Sequence, residues 1–327
     1  MNPHRRTLLS ASLAAAGATL AGARVAQAQA FPVKPVRLVV PFSPGSATDT
    51  MARLISDRLG AALGQAVLVE NRAGAGGTIG TAAVAKSAPD GYTLAVVSAG
   101  HAVNHVLYAN PGYDTIKDFA GVAPLASLPS VLVVAPSLGI RAVRDLVAAA
   151  KAKPGSFNYA TAGVGSGAHI SAEKFRMAAA IDAVHVPFKA SPESLTETMS
   201  GRTQFTWTPI STAAGHIKEG RLLALAVSTA RRVPAFPEVP TIAEAGFPAA
   251  EFNFWVGLLA PAQTPRDVVL RLNSEVNKVL QSAESRTRLE SMGAVPMNQT
   301  PDEFDGFLRS EFTTLSEVMR ASGAKAQ

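Results

Sequence analysis

The stretch Pro35-Val36-Arg37-Leu38-Val39-Val40-Pro41-Phe42-Ser43-Pro44-Gly45-Ser46-Ala47-Thr48-Asp49 decides how this chain is read. Val36–Val40 is a short apolar run of the kind that forms a buried strand. A loop of Pro, Gly and Ser follows. From Asp49 to Leu63, Met51, Leu54, Ile55, Leu59 and Ala62 recur three and four apart, with Gly64 as the stop. A strand that runs through a tight loop into a helix leaves N–H groups without partners at the positive end of the helix dipole, which suits an anion. Phe42, Ser43, Gly45, Ser46 and Asp49 are the candidates of this loop, and its two prolines stiffen it, which lowers the entropic cost of binding. The plainer reading is a capped helix start with Ser46, Thr48 or Asp49 as the cap.

A second junction of this kind lies over a hundred residues later. Phe157-Asn158-Tyr159-Ala160-Thr161 leads into Ala162-Gly163-Val164-Gly165-Ser166-Gly167-Ala168-His169, and a helical pattern follows. The segment lacks the Gly-Lys-Ser/Thr ending of a P-loop and the Gly-x-Ser-x-Gly order of a nucleophile elbow. Thr161, Gly165, Ser166 and Gly167 still present N–H groups and hydroxyls, and His169 sits on the first helical turn as a capping, packing or ligand-contact residue. Two anion-friendly loops on similar scaffolds predict a small acidic ligand held between two lobes.

Strand-like and helix-like segments alternate nearly throughout, which predicts α/β lobes with parallel sheets. Strands are expected at 66–70, 92–97, 131–135, 158–161, 183–188, 204–207 and 222–227. Helices are expected at 78–87, 141–152, 168–179, 192–199, 212–218, 267–282 and 302–319, the last capped by Thr300-Pro301. No linker splits the chain once, so it is expected to cross between lobes twice, near Val122–Ser127 and Leu222–Ser228. The expected domains are a leader at 1–30, a first lobe of 31–125 plus 226–327, and a second lobe of 126–225.

The leader has a basic start at His4-Arg5-Arg6, an Ala-rich apolar stretch from Leu8 to Leu20, and small-x-small cleavage sites after Ala28 and Ala30. It is read as an export signal for the Sec or twin-arginine route. Its loss removes Arg5, Arg6 and Arg24 and no acid, so 30 basic residues become 27 against 24 acidic ones, a net charge of +3. No basic cluster remains that argues for nucleic acid, and an aromatic content of 6% gives little for base stacking. There is no cysteine, hence no disulfide and no thiol chemistry. No later segment reaches membrane-spanning length, so no stable membrane insertion is expected.

Other motifs resolve to structure. Asn71-Arg72-Ala73-Gly74-Ala75-Gly76-Gly77-Thr78-Ile79-Gly80 misses the dinucleotide spacing, because Ile79 stands where the third glycine belongs. His101 and His105, four apart, would share a helix face, but no acid or third histidine completes a metal set. No catalytic constellation, metal site or cofactor is expected. Trp207 and Trp255 are read as core, or as walls of a cleft.

Several motifs together resemble the Bug/TctC family, the extracytoplasmic solute receptors of tripartite tricarboxylate transporters. They are 35–45, Glu70-Asn71-Arg72-Ala73-Gly74-Ala75-Gly76-Gly77, Pro89-Asp90-Gly91-Tyr92-Thr93-Leu94, Pro154-Gly155-Ser156-Phe157-Asn158-Tyr159 and His185-Val186-Pro187-Phe188-Lys189. Leu223–Val227, Pro240-Thr241-Ile242-Ala243-Glu244-Ala245-Gly246, Trp255-Val256-Gly257-Leu258-Leu259-Ala260-Pro261 and Ser322-Gly323-Ala324-Lys325 continue the match to the end of the chain. The resemblance implies a type II periplasmic-binding-protein fold, with two α/β lobes joined by two crossover strands. It implies a carboxylate held by main-chain groups and bridging waters from the loops Phe42–Asp49 and Thr161–His169. The segment Ser98–Asn104, with Ser98 and His101, would border the cleft, as would Phe188 and Thr208.

The chain departs from the family pattern at Ser46 and Ala190, where glycine is usual, and at Thr208, where aspartate is common. The last change disfavours an amino-acid ligand and leaves a purely acidic or aromatic carboxylate. The function expected is that of a monomeric periplasmic receptor that gives a mono- or dicarboxylate to membrane permease subunits. The rivals are an exported hydrolase using Ser98 or Ser166, and an orphan sensor of the same fold.

Overall fold

The computed structural model describes residues 31–325, so the leader expected at 1–30 lies outside the described residues. Residues 31–33 belong to a separate leading unit, and the body begins at Lys34. In chain order its strands are β1 (Val36–Val40), β2 (Val67–Asn71), β3 (Thr93–Ser98), β4 (Phe119–Leu128), β5 (Ser130–Val134) and β6 (Phe157–Thr161). Then come β7 (Ala183–Pro187), β8 (Phe205–Pro209), β9 (Leu223–Val227), β10 (Phe254–Pro261) and β11 (Val295–Pro296). They form a six-stranded sheet of order β11-β4-β10-β3-β1-β2 and a five-stranded sheet of order β7-β6-β8-β5-β9.

The sheets are mixed, which corrects the expectation of parallel ones. β1 runs parallel to β2 and β3, and β6 parallel to β7 and β8. β10 is antiparallel to β3 and β4, and β5 is antiparallel to β8 and β9. The cause is the route of the chain. β1, β3, β6 and β8 end toward the gap between the sheets, as strands of βα units do. β5 and β10 enter their sheets from the other one, so they start at that gap and run away from it.

The passages between the sheets touch each other. β4 passes into β5 through Pro129 alone, and the chain leaves β9 at Ser228 to return at β10. Ser130 donates its N–H to Ser228 Oγ at 3.1 Å, and Ser228 donates its N–H to the Ser130 carbonyl at 2.8 Å. Both serines are buried. This exchange ties the two crossings into one joint.

Helices cover the sheets. Ala47–Leu63 begins at N-cap Ser46 and ends at Gly64 with φ 69°. Helices Val143–Ala152 and Gly167–Ala179 pack one face of the second sheet around Phe175, Phe205 and Trp207. Leu195, Ile210 and Phe236 fill its other face. The long helix Pro301–Ser322 starts with a capping box, Thr300 Oγ1 to the Glu303 N–H and Glu303 back to Thr300. Trp255, fully buried on β10, donates its indole N–H to Glu311 of that helix at 2.8 Å. Both tryptophans are core.

Across the gap the backbones come close at glycines. A Cβ on Gly76 would lie 2.8 Å from the Val164 carbonyl oxygen, and one on Gly100 would be driven into the Gly165 carbonyl oxygen. Neither obstacle is a flexible side-chain end. Gly100→Ala is therefore expected to push the two halves apart and lower stability by about 1–3 kcal/mol. Urea denaturation measures this, and an unchanged midpoint would mean that the halves do not meet there.

Candidate functional site

The two loops singled out in the sequence have one design. Each follows the end of a strand, β1 or β6. Each has a glycine with φ of 79°, Gly45 or Gly165, and then a serine N-cap, Ser46 (φ −67°, ψ 161°) or Ser166 (φ −65°, ψ 160°). Each serine hydroxyl accepts the N–H three residues on, from Asp49 or His169, at 3.2 Å. The same residue then turns its side chain back to take the glycine N–H. Gly45 donates to Asp49 Oδ2 at 2.9 Å, and Gly165 donates to His169 Nδ1 at 3.1 Å. The clamp leaves the next N–H groups, of Ala47 and Thr48 and of Gly167 and Ala168, with no acceptor inside their own helices.

All four of those residues line one cleft between the sheets, which holds about 570 Å³ of space including its mouth. Ser43, Ser46, Ser98, Ser130, Ser166 and Ser191 add hydroxyls, and Phe42, Phe254 and Pro209 add apolar wall. Among the described residues, Lys189 is the only charged one in the lining; its own N–H is taken by Glu193 Oε2 at 3.1 Å, just outside the lining. Lys189, Ala190 and Ser191 bring a third helix start, that of Ser191–Met199, to the same cleft. The site is therefore electropositive through aligned peptide dipoles and one ammonium.

Phe42, Ser43, Ser46, Ser98, Ser166 and Gly167 are brought together in this wall. The other candidates stand behind it. Asp49 is buried and also bonded by Arg53 Nε at 3.0 Å and Asn71 Nδ2 at 2.9 Å. Burial pushes its carboxyl up, but the hydrogen bonds from Arg53, Gly45 and Asn71 outweigh this and hold it below the usual range. Gly45 and Gly165 set the loop turns. Thr161 bonds His185 Nε2 at 2.7 Å and braces the Gly163 turn. His169 stacks on His185 with ring centres 4.0 Å apart. Burial, with Arg176 adding, lowers His169 to about 4, and burial, with His169 adding, lowers His185 to about 3. Both rings are neutral at pH 7.

His101 does not share a helix face with His105. The segment breaks into a turn at Ala99–Ala102 and a single helical turn at Asn104–Leu107, because Val103 between them (φ −111°, ψ −7°) is unwound from the regular helix. His101 stacks on Tyr113 and His105 on Phe312. Phe188 lines an adjoining chamber. Thr208 is fully buried on β8 with its hydroxyl unpartnered, while its neighbour Pro209 reaches the cleft.

Sequence reasoning missed Ser130, Lys189, Ser191 and Phe254 as lining residues. Ser130, after Pro129, is a polar break inside the apolar run 119–135, a signal that was there to find. Among the described residues, no group of three or more His, Cys, Asp or Glu side chains is placed to hold a metal.

Comparisons with known proteins identify the family and its fold. The family model described as the tripartite tricarboxylate transporter family receptor matches residues 51–323. Protein BugT of Bordetella pertussis is 36% identical over 318 residues, covering 96% of this chain and 98% of that one. The solved structure of R. palustris Rpa4515 with adipate has a TM-score of 0.85 at 34% identity, covering 90% of this chain and all of the other, 100%. MatC (Rpa3494) from Rhodopseudomonas palustris, with bound malate, has a TM-score of 0.82 at 33% identity, covering 88% and 99%. The chain belongs to the receptor family of tripartite tricarboxylate transporters, and its two-sheet α/β body has the fold of that family's solved members.

Proposed function

We propose that this protein is a periplasmic receptor that captures a small mono- or dicarboxylate in the cleft and delivers it to membrane permease subunits. The observation that carries this reading is the convergence of two matched helix starts on a wall that contains a lysine and, among the described residues, no acid. Donors fixed before binding stabilise a carboxylate without reorganisation, and bridging waters complete contacts the N–H groups do not reach. The similar proteins with adipate and with malate support a dicarboxylate. The lack of an acid on the wall speaks against an amino-acid ligand, whose ammonium would go unpaired.

Each half of the donor set belongs to a different sheet, so a carboxylate bridges both only when the halves are together. Such a ligand favours closure by its differential affinity for the closed state. In this reading each sheet with its helices is a moving lobe and the Ser130–Ser228 exchange is the joint, so the crossings at Pro129 and Ser228 lie a few residues past the expected bounds at 125/126 and 225/226. Asp49 and His169 hold the loops and do not touch ligand. Against the hydrolase alternative at Ser166 stands the geometry of that loop: Ser166 Oγ caps the His169 N–H while His169 Nδ1 is taken by the Gly165 N–H. Periplasmic residence rests on the basic, Ala-rich leader in the sequence, and no described helix is long and apolar enough to cross a membrane.

The reading is tested with mature protein purified through unfolding to strip carried-over ligand. Its melting temperature should rise saturably with a dicarboxylate and not with the diamide, since a ligand at a hundredfold its Kd adds about 2.7 kcal/mol. Equal effects of acid and amide would sink it.

The buried imidazoles make stability depend on pH. His101 and His169, lowered to about 4, and His185, lowered to about 3, resist protonation in the fold. The unfolded chain takes those protons from about pH 6.5 downward. Their contribution is thus complete above about pH 6.5 and is lost as pH falls toward 4, at up to about 1.4 kcal/mol per pH unit for each ring. Urea midpoints should be flat from about pH 8 to 7 and drop steeply from about pH 6 to 4, with a shallower drop in His169→Asn, which keeps an acceptor for Gly165. An equal slope in wild type and variant would remove His169 from this account.

A further inference from the structure

The helix Gly167–Ala179 has a task at each end. Its first residues line the cleft. Further along it lies against the long helix Pro301–Ser322, which belongs to the other half. That long helix is tied to the first sheet by the Gly121 N–H, which Asp305 Oδ1 accepts at 2.7 Å, and by the Trp255 indole, which donates to Glu311 at 2.8 Å. Where the long helix ends, Arg176 Nη2 reaches across and donates to the Ser322 carbonyl at 3.0 Å.

Both partners of this bond are prepared for it. Ser322 closes its helix, so its carbonyl is one of the last four, which find no donor inside the helix. It stands at the negative end of the dipole, where a guanidinium is favoured. Arg176 is aimed from its own side. The same Nη2 donates to Glu173 Oε2 at 2.7 Å, Nε donates to that oxygen at 3.1 Å, and Tyr159 of β6 donates its hydroxyl to Glu173 Oε1. Tyr159 and Glu173 are buried. Tyr159, Glu173 and Arg176 all belong to the second half, so the guanidinium keeps its place whether or not the halves are together.

The place of the bond gives it leverage. Gly167 abuts the Phe254 ring, and Phe252, two residues before that ring, donates its N–H to the Ser228 carbonyl of the joint at 2.9 Å. The helix therefore starts beside the joint. Arg176 follows Gly167 by nine positions, which is about 13 Å along the helix axis. Around the bond the halves stand apart. A crevice of about 1220 Å³ including its mouth has Glu173 and Arg176 on one side and Tyr108 with the tail Ser322–Lys325 on the other. A charge-assisted bond that spans such a crevice is made when the halves are together and lost when they part.

We propose that Arg176 is a positioning residue for capture: it latches the two halves through the Ser322 carbonyl and slows the loss of a bound ligand that it does not touch. This rests on the carboxylate-receptor reading above and adds to it. A bond present only in the closed state shifts the closing equilibrium by the same factor whatever ligand is bound.

The test is stopped-flow kinetics of ligand-stripped protein with two probes, malate and adipate. Removing Arg176 alone would leave Glu173 as a buried unpaired charge, so Arg176→Met is made together with Glu173→Gln, and Glu173→Gln alone is the reference. The double variant should lose ligand about tenfold faster than the reference, the worth of a hydrogen bond to a charged group, with association unchanged within about twofold. The factor should be equal for the two acids. Arg176→Lys, whose ammonium lacks the planar fork that serves Glu173 and Ser322 together, should give a smaller rise. Unchanged dissociation, or a factor that differs between the acids, would overturn the latch and leave carboxylate capture intact. If neither acid binds wild type, that result counts against the capture reading alone, and small-angle scattering without ligand decides the latch. The double variant should then show a larger radius of gyration than the reference, and equal radii would overturn the proposal.

Discussion

Everything at this site depends on peptide N–H groups that a helix cannot satisfy for itself. The first turn of any helix has such donors. Here two of them from each of two helices line one cleft, because each cap serine takes only the N–H three residues on and the side chain there turns back to the N–H of the glycine before the cap. Asp49 does this for one loop and His169 for the other. The chemistry of the two clamps differs in charge. Asp49 is anionic and paired with Arg53 on the next turn at 3.0 Å. His169 is neutral and needs no counter-ion. Either solution fixes the turn without opposing an anion.

The scaffold explains why the two helix starts meet. Strands of βα units end on the same side of their sheet, and loops at those ends form binding crevices. Two such sheets, connected twice, place their loop edges face to face. Each connection brings in one antiparallel strand, β5 or β10, whose first residues Ser130 and Phe254 become part of the cleft wall. The glycine contacts at Gly76 and Gly100 set how near the halves come.

Much of this was legible in the residues. The shift from a short apolar run to a three-and-four spacing marks each βα unit, and the recurrence of Gly-Ser-x-x-Asp at Gly45–Asp49 and of Gly-Ser-x-x-His at Gly165–His169 marks the twin loops. What the residues at those last positions do was not legible, because an acid or imidazole four residues after a glycine looks the same whether it faces ligand or loop. Strand direction was hidden too, since it depends on which sheet the chain comes from. Lys189 comes beside the second loop through the pairing of β7 with β6, whereas Phe254 meets Gly167 only through the approach of the sheets. The i, i+4 spacing of His101 and His105 misled because Val103 interrupts the helix between them.

The most direct test is a crystal structure of the protein with a bound dicarboxylate. The account predicts a carboxylate between the two helix starts, within hydrogen-bond distance or one bridging water of the N–H groups of Ala47 or Thr48 and of Gly167 or Ala168. Asp49 and His169 should keep their bonds to Gly45 and Gly165. A carboxylate held by Lys189 alone, or seated in another cavity with both helix starts empty, would contradict it.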